Sequence, residues 1–202
     1  MTKINLEIPD CPVCSHSQFE TVLSDLSDHI WHKPGLFNIG QCQNCKLVMT
    51  RPRPTAESLA FYYDNTYSGE DQAGMAGFHQ GGIMRLISRY RIRAMEKVRR
   101  VRSEDFVLDV GCSYGGFLTA IAQNRGCAGV GIDLDEGAIE QAAQSHSLEF
   151  KVSEITTLDT SLGQYEWVTF WESLEHHVQP VEALAKAHAL LKDDGLCCVE
   201  VP

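Results

Sequence analysis

A glycine turn placed between a buried strand and a helix constrains this chain more than any other feature. Leu108-Asp109-Val110 is apolar strand text, Gly111-Cys112-Ser113-Tyr114-Gly115 is the turn, and Gly116-Phe117 opens a helix. Glycine tolerates the left-handed backbone and the close approach that such a turn needs. In an open parallel sheet the ligand crevice lies at that carboxyl end. The flanking text continues the alternation. Helices are expected over 83–102, 116–124, 137–145 and 181–192, and strands over 106–110, 129–133, around Phe150, 167–171 and 196–201. Strands and helices alternating across short turns predict an α/β domain whose parallel sheet is covered by helices on both faces.

With 202 residues and 44% apolar composition, the chain can bury one main core and carry a small appendage. No basic start precedes a long apolar run, and no apolar stretch reaches membrane-spanning length. A cytoplasmic protein with no membrane partner is expected. The formal charge of −10 speaks against a general nucleic-acid binder. One segment differs: Arg85, Arg89, Arg91, Arg93, Lys97, Arg99, Arg100 and Arg102 face the single acid Glu96. Such a run reads as a solvated helix face.

The N-terminal quarter has a different character. Cys11-Pro12-Val13-Cys14 and Cys42-Gln43-Asn44-Cys45 are two thiol pairs 27 residues apart, with short alternating segments between them. Two such pairs satisfy a closed tetrahedral zinc site, which folds small modules that lack a core of their own. A redox pair is the competing reading, but it would come singly and open a helix in a βαβ context. The expected divisions are a β-rich zinc module over 1–54, a tyrosine-containing helix and mobile loop over 55–82, and the α/β domain over 83–202. Thr55 caps the helix after Arg51-Pro52-Arg53-Pro54.

Asp109-x-Gly111-x-Ser113-x-Gly115 resembles the first motif of class I S-adenosylmethionine (SAM)-dependent methyltransferases, with Ser113 in place of the middle glycine. The stretch from Trp167 through Trp171-Glu172-Ser173-Leu174-Glu175-His176-His177 to Pro180 resembles the fourth strand of that superfamily and its Leu-Glu-His element. The fold implied is a Rossmann-like methyltransferase. The resemblance assigns Asp109, Gly111, Cys112 and Gly115 to the methionine end of SAM, Asp133 to the ribose hydroxyls, Glu154 and Ile155 to adenine, and Trp171 to the same crevice. Asp135 is read as a cap on the next helix.

Two cysteine pairs followed by Phe61-Tyr62-Tyr63-Asp64-Asn65-Thr66-Tyr67 are similar to the N-terminal region of zinc-containing methyltransferases, including those that C-methylate nucleotide-linked deoxysugars. Ser15 and Lys46 stand where that group has a glycine after each pair. The resemblance implies Tyr63 or Tyr67 near the acceptor with Glu175 and His176, His176 being the general base. Glu172, Glu175 and His176 also match a divalent-metal element of quinone-pathway O-methyltransferases. The metal-free reading is preferred, because one histidine beside a carboxylate suffices for proton removal.

The expected function is methyl transfer from SAM to a small polar metabolite, such as a nucleotide-linked sugar or saccharide precursor. An RNA methyltransferase gripping nucleic acid through the zinc module and basic helix is one alternative. A non-catalytic SAM-binding or scaffold protein is the other. Because the superfamily sheet normally continues beyond a fifth strand, the final strands are expected to be missing after Val199-Glu200-Val201-Pro202.

Overall fold

The computed structural model describes residues 4–29, 32–62, 81–145, 148–159 and 164–202. Tyr63, Tyr67 and positions 68–80 of the loop expected over 68–82 lie outside these residues, and Gly82 already belongs to a helix. The chain divides into two compact units, Met1–Gln72 and Ala73–Pro202.

In the first unit, β1 (Leu6–Glu7) pairs antiparallel with β5 (Arg53–Pro54), and β2 (Phe19–Leu26), β3 (Phe37–Cys42) and β4 (Val48–Thr50) form an antiparallel sheet in that order. Helix α1 (Ala56–Tyr62) starts where the Thr55 hydroxyl accepts the Ser58 N–H at 3.3 Å, as its capping role requires. Among the described residues here, only Cys11, Gly40, Cys42 and Ser58 are buried, and β2 is exposed over nearly its whole length. Apolar burial cannot hold such a unit together. The cysteines are its core.

The second unit is a five-stranded, all-parallel sheet built from β6 (Phe106–Val110), β7 (Ala128–Asp133), β8 (Glu149–Val152), β9 (Tyr165–Trp171) and β10 (Leu191–Glu200). The spatial order is β10-β9-β6-β7-β8, so the winding reverses between β6 and β9. Helices α2 (Gly82–Glu96), α3 (Gly116–Arg125), α4 (Glu136–Ser145) and α5 (Pro180–Leu190) complete it. Alternate residues of each strand feed two cores. Leu108, Val110, Val168 and Phe170 pack with Ala183, Ala187 and Leu190 of α5 on one face. Val107 and Trp167 pack with Ile92, Met95, Phe117, Leu118 and Ile121 of α2 and α3 on the other. This is the Rossmann-like arrangement of a parallel sheet flanked by helices. Among the described residues, no helix is long and apolar enough to cross a membrane.

Helix α2 ends at Glu96, not at Arg102 as expected. Leaving the helix lets the Arg99 guanidinium lie 4.7 Å over the Trp167 ring and donate to the Glu166 carbonyl at 3.3 Å.

Candidate active site and metal centre

The reversal between β6 and β9 places the site, because a crevice opens where neighbouring strands lead to helices on opposite faces. The turn after β6 is closely tied to its surroundings. Gly111 and Gly115 adopt φ of +73° and +71°. A Cβ at Gly111 would lie 2.4 Å from that of Ser173, and one at Gly115 would lie 2.5 Å from the Phe150 ring. Glycine is required at both. Gly111 and Cys112 both donate their N–H to the Ile132 carbonyl, at 2.8 and 3.0 Å. Ser113, at φ +48°, holds the left-handed conformation that glycine would adopt at less cost.

Asp133 ends β7 and turns back to this loop. Its carboxylate accepts the Ser113 N–H at 2.8 Å and the Asp135 N–H at 3.0 Å. A turn N–H that could have held a phosphate is therefore occupied by a carboxylate. Asp135 accepts the Ala138 N–H at 3.0 Å and so caps α4.

Asp109 is buried beside Thr169, whose hydroxyl donates to it at 2.7 Å. Burial pushes its carboxyl up to about 7, against the Thr169 hydrogen bond and the attraction of Arg91. The cysteine of the turn, Cys112, is buried too, with its thiol pushed far up by loss of hydration. Asp133 is half-buried, as is Glu154, while the Ile155 side chain belongs to the core. The carboxyl ends of β7 and β8 thus lead to the half-buried Asp133 and Glu154, while Asp109 is enclosed within β6 beneath the Gly111 turn. Carboxylates at those strand ends suit a ligand with hydroxyls better than a pyrophosphate.

Beyond β9 the chain bends sharply. Glu172 is left-handed at φ +54° and donates its N–H to the Glu200 carbonyl at 2.8 Å. Its carboxylate lies 3.9 Å from Arg91 Nη2. Glu175 and His176 sit on a short turn, Leu174–His176, with His176 Nε2 3.9 Å from Glu175 Oε1. The structure does not gather Glu172, Glu175 and His176 into a metal-binding group; among the described residues the only such group is the four cysteines.

Trp171 packs against Phe117 with ring centroids 4.9 Å apart, and its buried Nε1 has no hydrogen-bond partner. Two neighbours were not anticipated. His177 is half-buried, edge-on to Phe170 at 5.9 Å, and burial lowers its pKa, so the neutral imidazole is favoured. Arg91, counted with the solvated basic face, is instead buried. It donates from Nε to Glu200 at 2.9 Å, ion-pairs with the same carboxylate through Nη2, and lies 5.1 Å over the Trp171 ring. The spacing of Met84, Ile92 and Met95 puts position 91 on their face of the helix, and that is the signal that could have found it.

In the N-terminal unit the two cysteine pairs form the same turn twice. Ser15 N–H donates to the Cys11 carbonyl at 2.8 Å and Lys46 N–H to that of Cys42 at 3.0 Å; Cys11 and Cys42 in turn donate to His16 and Leu47. Ser15 and Lys46 take φ of +56° and +66°, so the glycine-type turn persists without glycine. All four Sγ atoms lie within 4.8 Å of one another, with Cys11 and Cys45 at 3.4 Å and Cys14 and Cys42 at 3.6 Å. A tetrahedron with Zn–S bonds of about 2.3 Å has edges of about 3.8 Å, and the cluster fits it. Its thiols diverge in acidity. The Asn44 side-chain hydrogen bond draws Cys14 down to about 6, whereas Cys45, favoured as thiolate by the Leu47 N–H, is pushed up to about 12 by lost hydration and its sulfur neighbours.

A family model described as a methyltransferase domain matches residues 79–202, more than half of the chain. The chain belongs to this methyltransferase-domain family. Among curated relatives, the ubiquinone biosynthesis O-methyltransferase of Pseudomonas paraeruginosa is 36% identical over 96 residues, 44% of this chain and 40% of the relative. The protein of the same name from Coxiella burnetii is 27% identical over 117 residues, 55% of this chain and 49% of the relative. The chain spans about half the length, or less, of these relatives. Among solved structures, the plantazolicin methyltransferase BpumL in complex with a triazolic desmethyl analogue and SAH superposes with a TM-score of 0.58 at 17% identity, covering 71% of this chain and 56% of that one. That likeness extends the fold assignment to an independent structure.

Proposed function

We propose that the chain carries the catalytic core of a SAM-dependent methyltransferase acting on a small polar molecule. The observation that carries the reading is Asp133 folding back onto Ser113 beside the Gly111 turn, in a chain of the methyltransferase-domain family. Gly111, Cys112 and Gly115 form the turn against the methionine end, and Asp109, buried beneath them and held by Thr169, acts on that end only through the turn. Asp133 accepts the ribose hydroxyls, Glu154 and the Ile155 backbone meet adenine, and Trp171 closes the methionine side with its unpartnered N–H. SAM, when bound, supplies an electrophilic methyl group. The protein's part is to place the acceptor in line and take its proton, a role given to His176 with Glu175 as its carboxylate neighbour. Tyr63 and Tyr67, which the resemblance associates with the acceptor, lie outside the described residues. Zinc held by Cys11, Cys14, Cys42 and Cys45 is structural, since four thiolates leave no open position for a substrate.

A nucleotide-linked sugar or saccharide precursor is the first acceptor class, on the strength of the four-cysteine module and the tyrosines that follow it. An oxygen acceptor among ubiquinone precursors is the second, favoured by the identity to ubiquinone biosynthesis O-methyltransferases. Transfer of labelled methyl from SAM to a panel of both classes decides between them. Absence of SAM binding by calorimetry would overturn the proposal altogether.

A further inference from the structure

We propose that helix α2 docks the protein on an anionic lipid surface, a reading independent of the acceptor. The helix has two faces with separate uses. Met84, Ser88, Arg91, Ile92 and Met95 are buried against the sheet side of the domain. On the opposite face Arg89, Arg93 and the capping Lys97 succeed one another every four residues, all exposed, and form one row along the axis. Beside that row stand Ile83, Leu86 and Tyr90, 62%, 66% and 65% exposed. At about 100° per residue these three fall within one narrow stripe adjoining the cations.

A row of guanidinium groups flanking an exposed aliphatic and aromatic stripe is the composition of helices that lie in a lipid interface. The cations meet lipid phosphates and the apolar side chains enter the headgroup boundary. Charge selects the occupant. The basic run is a local island in a chain of net charge −10, so it attracts an anionic surface only at contact distances. A second copy related by a two-fold axis would set arginine row against arginine row. Nucleic acid would satisfy the cations but leave Ile83 and Leu86 uncovered, since phosphate and sugar contacts call for polar partners.

The test is co-flotation of the full chain with vesicles of phosphatidylglycerol and phosphatidylcholine, against phosphatidylcholine alone. Retention by the anionic vesicles only is expected. It should fall about tenfold or more in Arg89→Glu/Arg93→Glu, and also in Leu86→Ser/Tyr90→Ser, with thermal midpoint and SAM affinity unchanged because these side chains lie off the core face. Lack of retention, equal retention by neutral vesicles, or retention indifferent to both variants overturns the proposal. So does tight, variant-sensitive binding of a single-stranded RNA oligomer without vesicle binding, or a dimer that the same substitutions dissociate.

Discussion

Ser173 closes over Gly111: its hydroxyl donates to the neighbouring Val110 carbonyl at 2.7 Å, and a Cβ added at Gly111 would sit 2.4 Å from its own. This contact joins the two segments that the sequence singles out, the glycine turn after β6 and the Glu-Ser-Leu-Glu-His element after β9. Gly111→Ala should therefore cost about 2–4 kcal/mol, combining a left-handed Cβ with a backbone shift at Ser173, and should weaken SAM binding in parallel. Urea denaturation and calorimetry read the two effects. An unchanged midpoint would mean that the turn relaxes freely.

Asp133 serves the fold and, on our reading, the cofactor. Asp133→Ala should weaken SAM binding by about 1–3 kcal/mol and also loosen the turn, because the Ser113 and Asp135 N–H groups lose their acceptor. Asp133→Asn keeps an acceptor for those amides, so it should recover stability more than affinity. Equal recovery of both would argue against a direct role toward ribose.

Asp109 predicts a pH dependence with a definite sign. Its carboxyl is raised from an ordinary value near 3.8 to about 7 by burial, so between those values the folded state holds a proton that the unfolded state has lost. Stability contributed at this site is full at low pH and falls as pH rises through that window. Asp109→Asn keeps the acceptor for the Thr169 hydroxyl and removes the charge. Its stability advantage over the wild type should grow from pH 4 to pH 7 and level off above, read as thermal midpoints. A constant difference across that range would show that Asp109 stays ionised.

Much of the α/β domain was legible because β6 and β7 are largely apolar segments, each closed by a turn: Phe106–Val110 before Gly111, and Ala128–Asp133 before Asp135. What escaped depends on tertiary partners. Arg91 and Arg99 read as solvated charge, yet each lies over a tryptophan whose position is set by a strand far along the chain. The end of α2 was misplaced for the same reason, as nothing local to 97–102 announces Trp167. Glu172 could not be separated from Glu175 and His176 by spacing, because a left-handed residue at Glu172 turns its side chain toward Arg91. The cysteine turns were legible as chemistry, and the persistence of their geometry at Ser15 and Lys46 follows from paired backbone hydrogen bonds that glycine would only have made cheaper.

The N-terminal unit should contain about one zinc per chain and depend on it. With only Cys11, Gly40, Cys42 and Ser58 buried among its described residues, removal of the metal leaves it almost no core. Chelation under conditions that strip zinc should abolish hydrogen-exchange protection across β2 to β4 while leaving SAM affinity within about twofold. Cys14→Ser should reproduce the loss. Protection that survives complete metal removal would mean that hydrogen bonding alone maintains the unit.

His176 and His177 offer the sharpest test of the catalytic assignment, since they are adjacent in sequence and differently placed. His176 stands near Glu175 with much of its ring in solvent, as a base that meets an incoming acceptor must. His177 packs edge-on against Phe170, where burial lowers its pKa, and no catalytic role is assigned to it. His176→Ala should lower kcat by about 100- to 10,000-fold with SAM affinity and thermal midpoint nearly intact. His177→Ala should lower the midpoint and affect turnover less. Wild-type activity should persist with a chelator mild enough to leave the cysteine-bound zinc in place, because Glu172 faces Arg91 and does not complete a cation site with Glu175 and His176. Activity lost to that chelator and restored by magnesium would assign the three residues to a metal, and a fully active His176→Ala would remove the histidine from the chemistry.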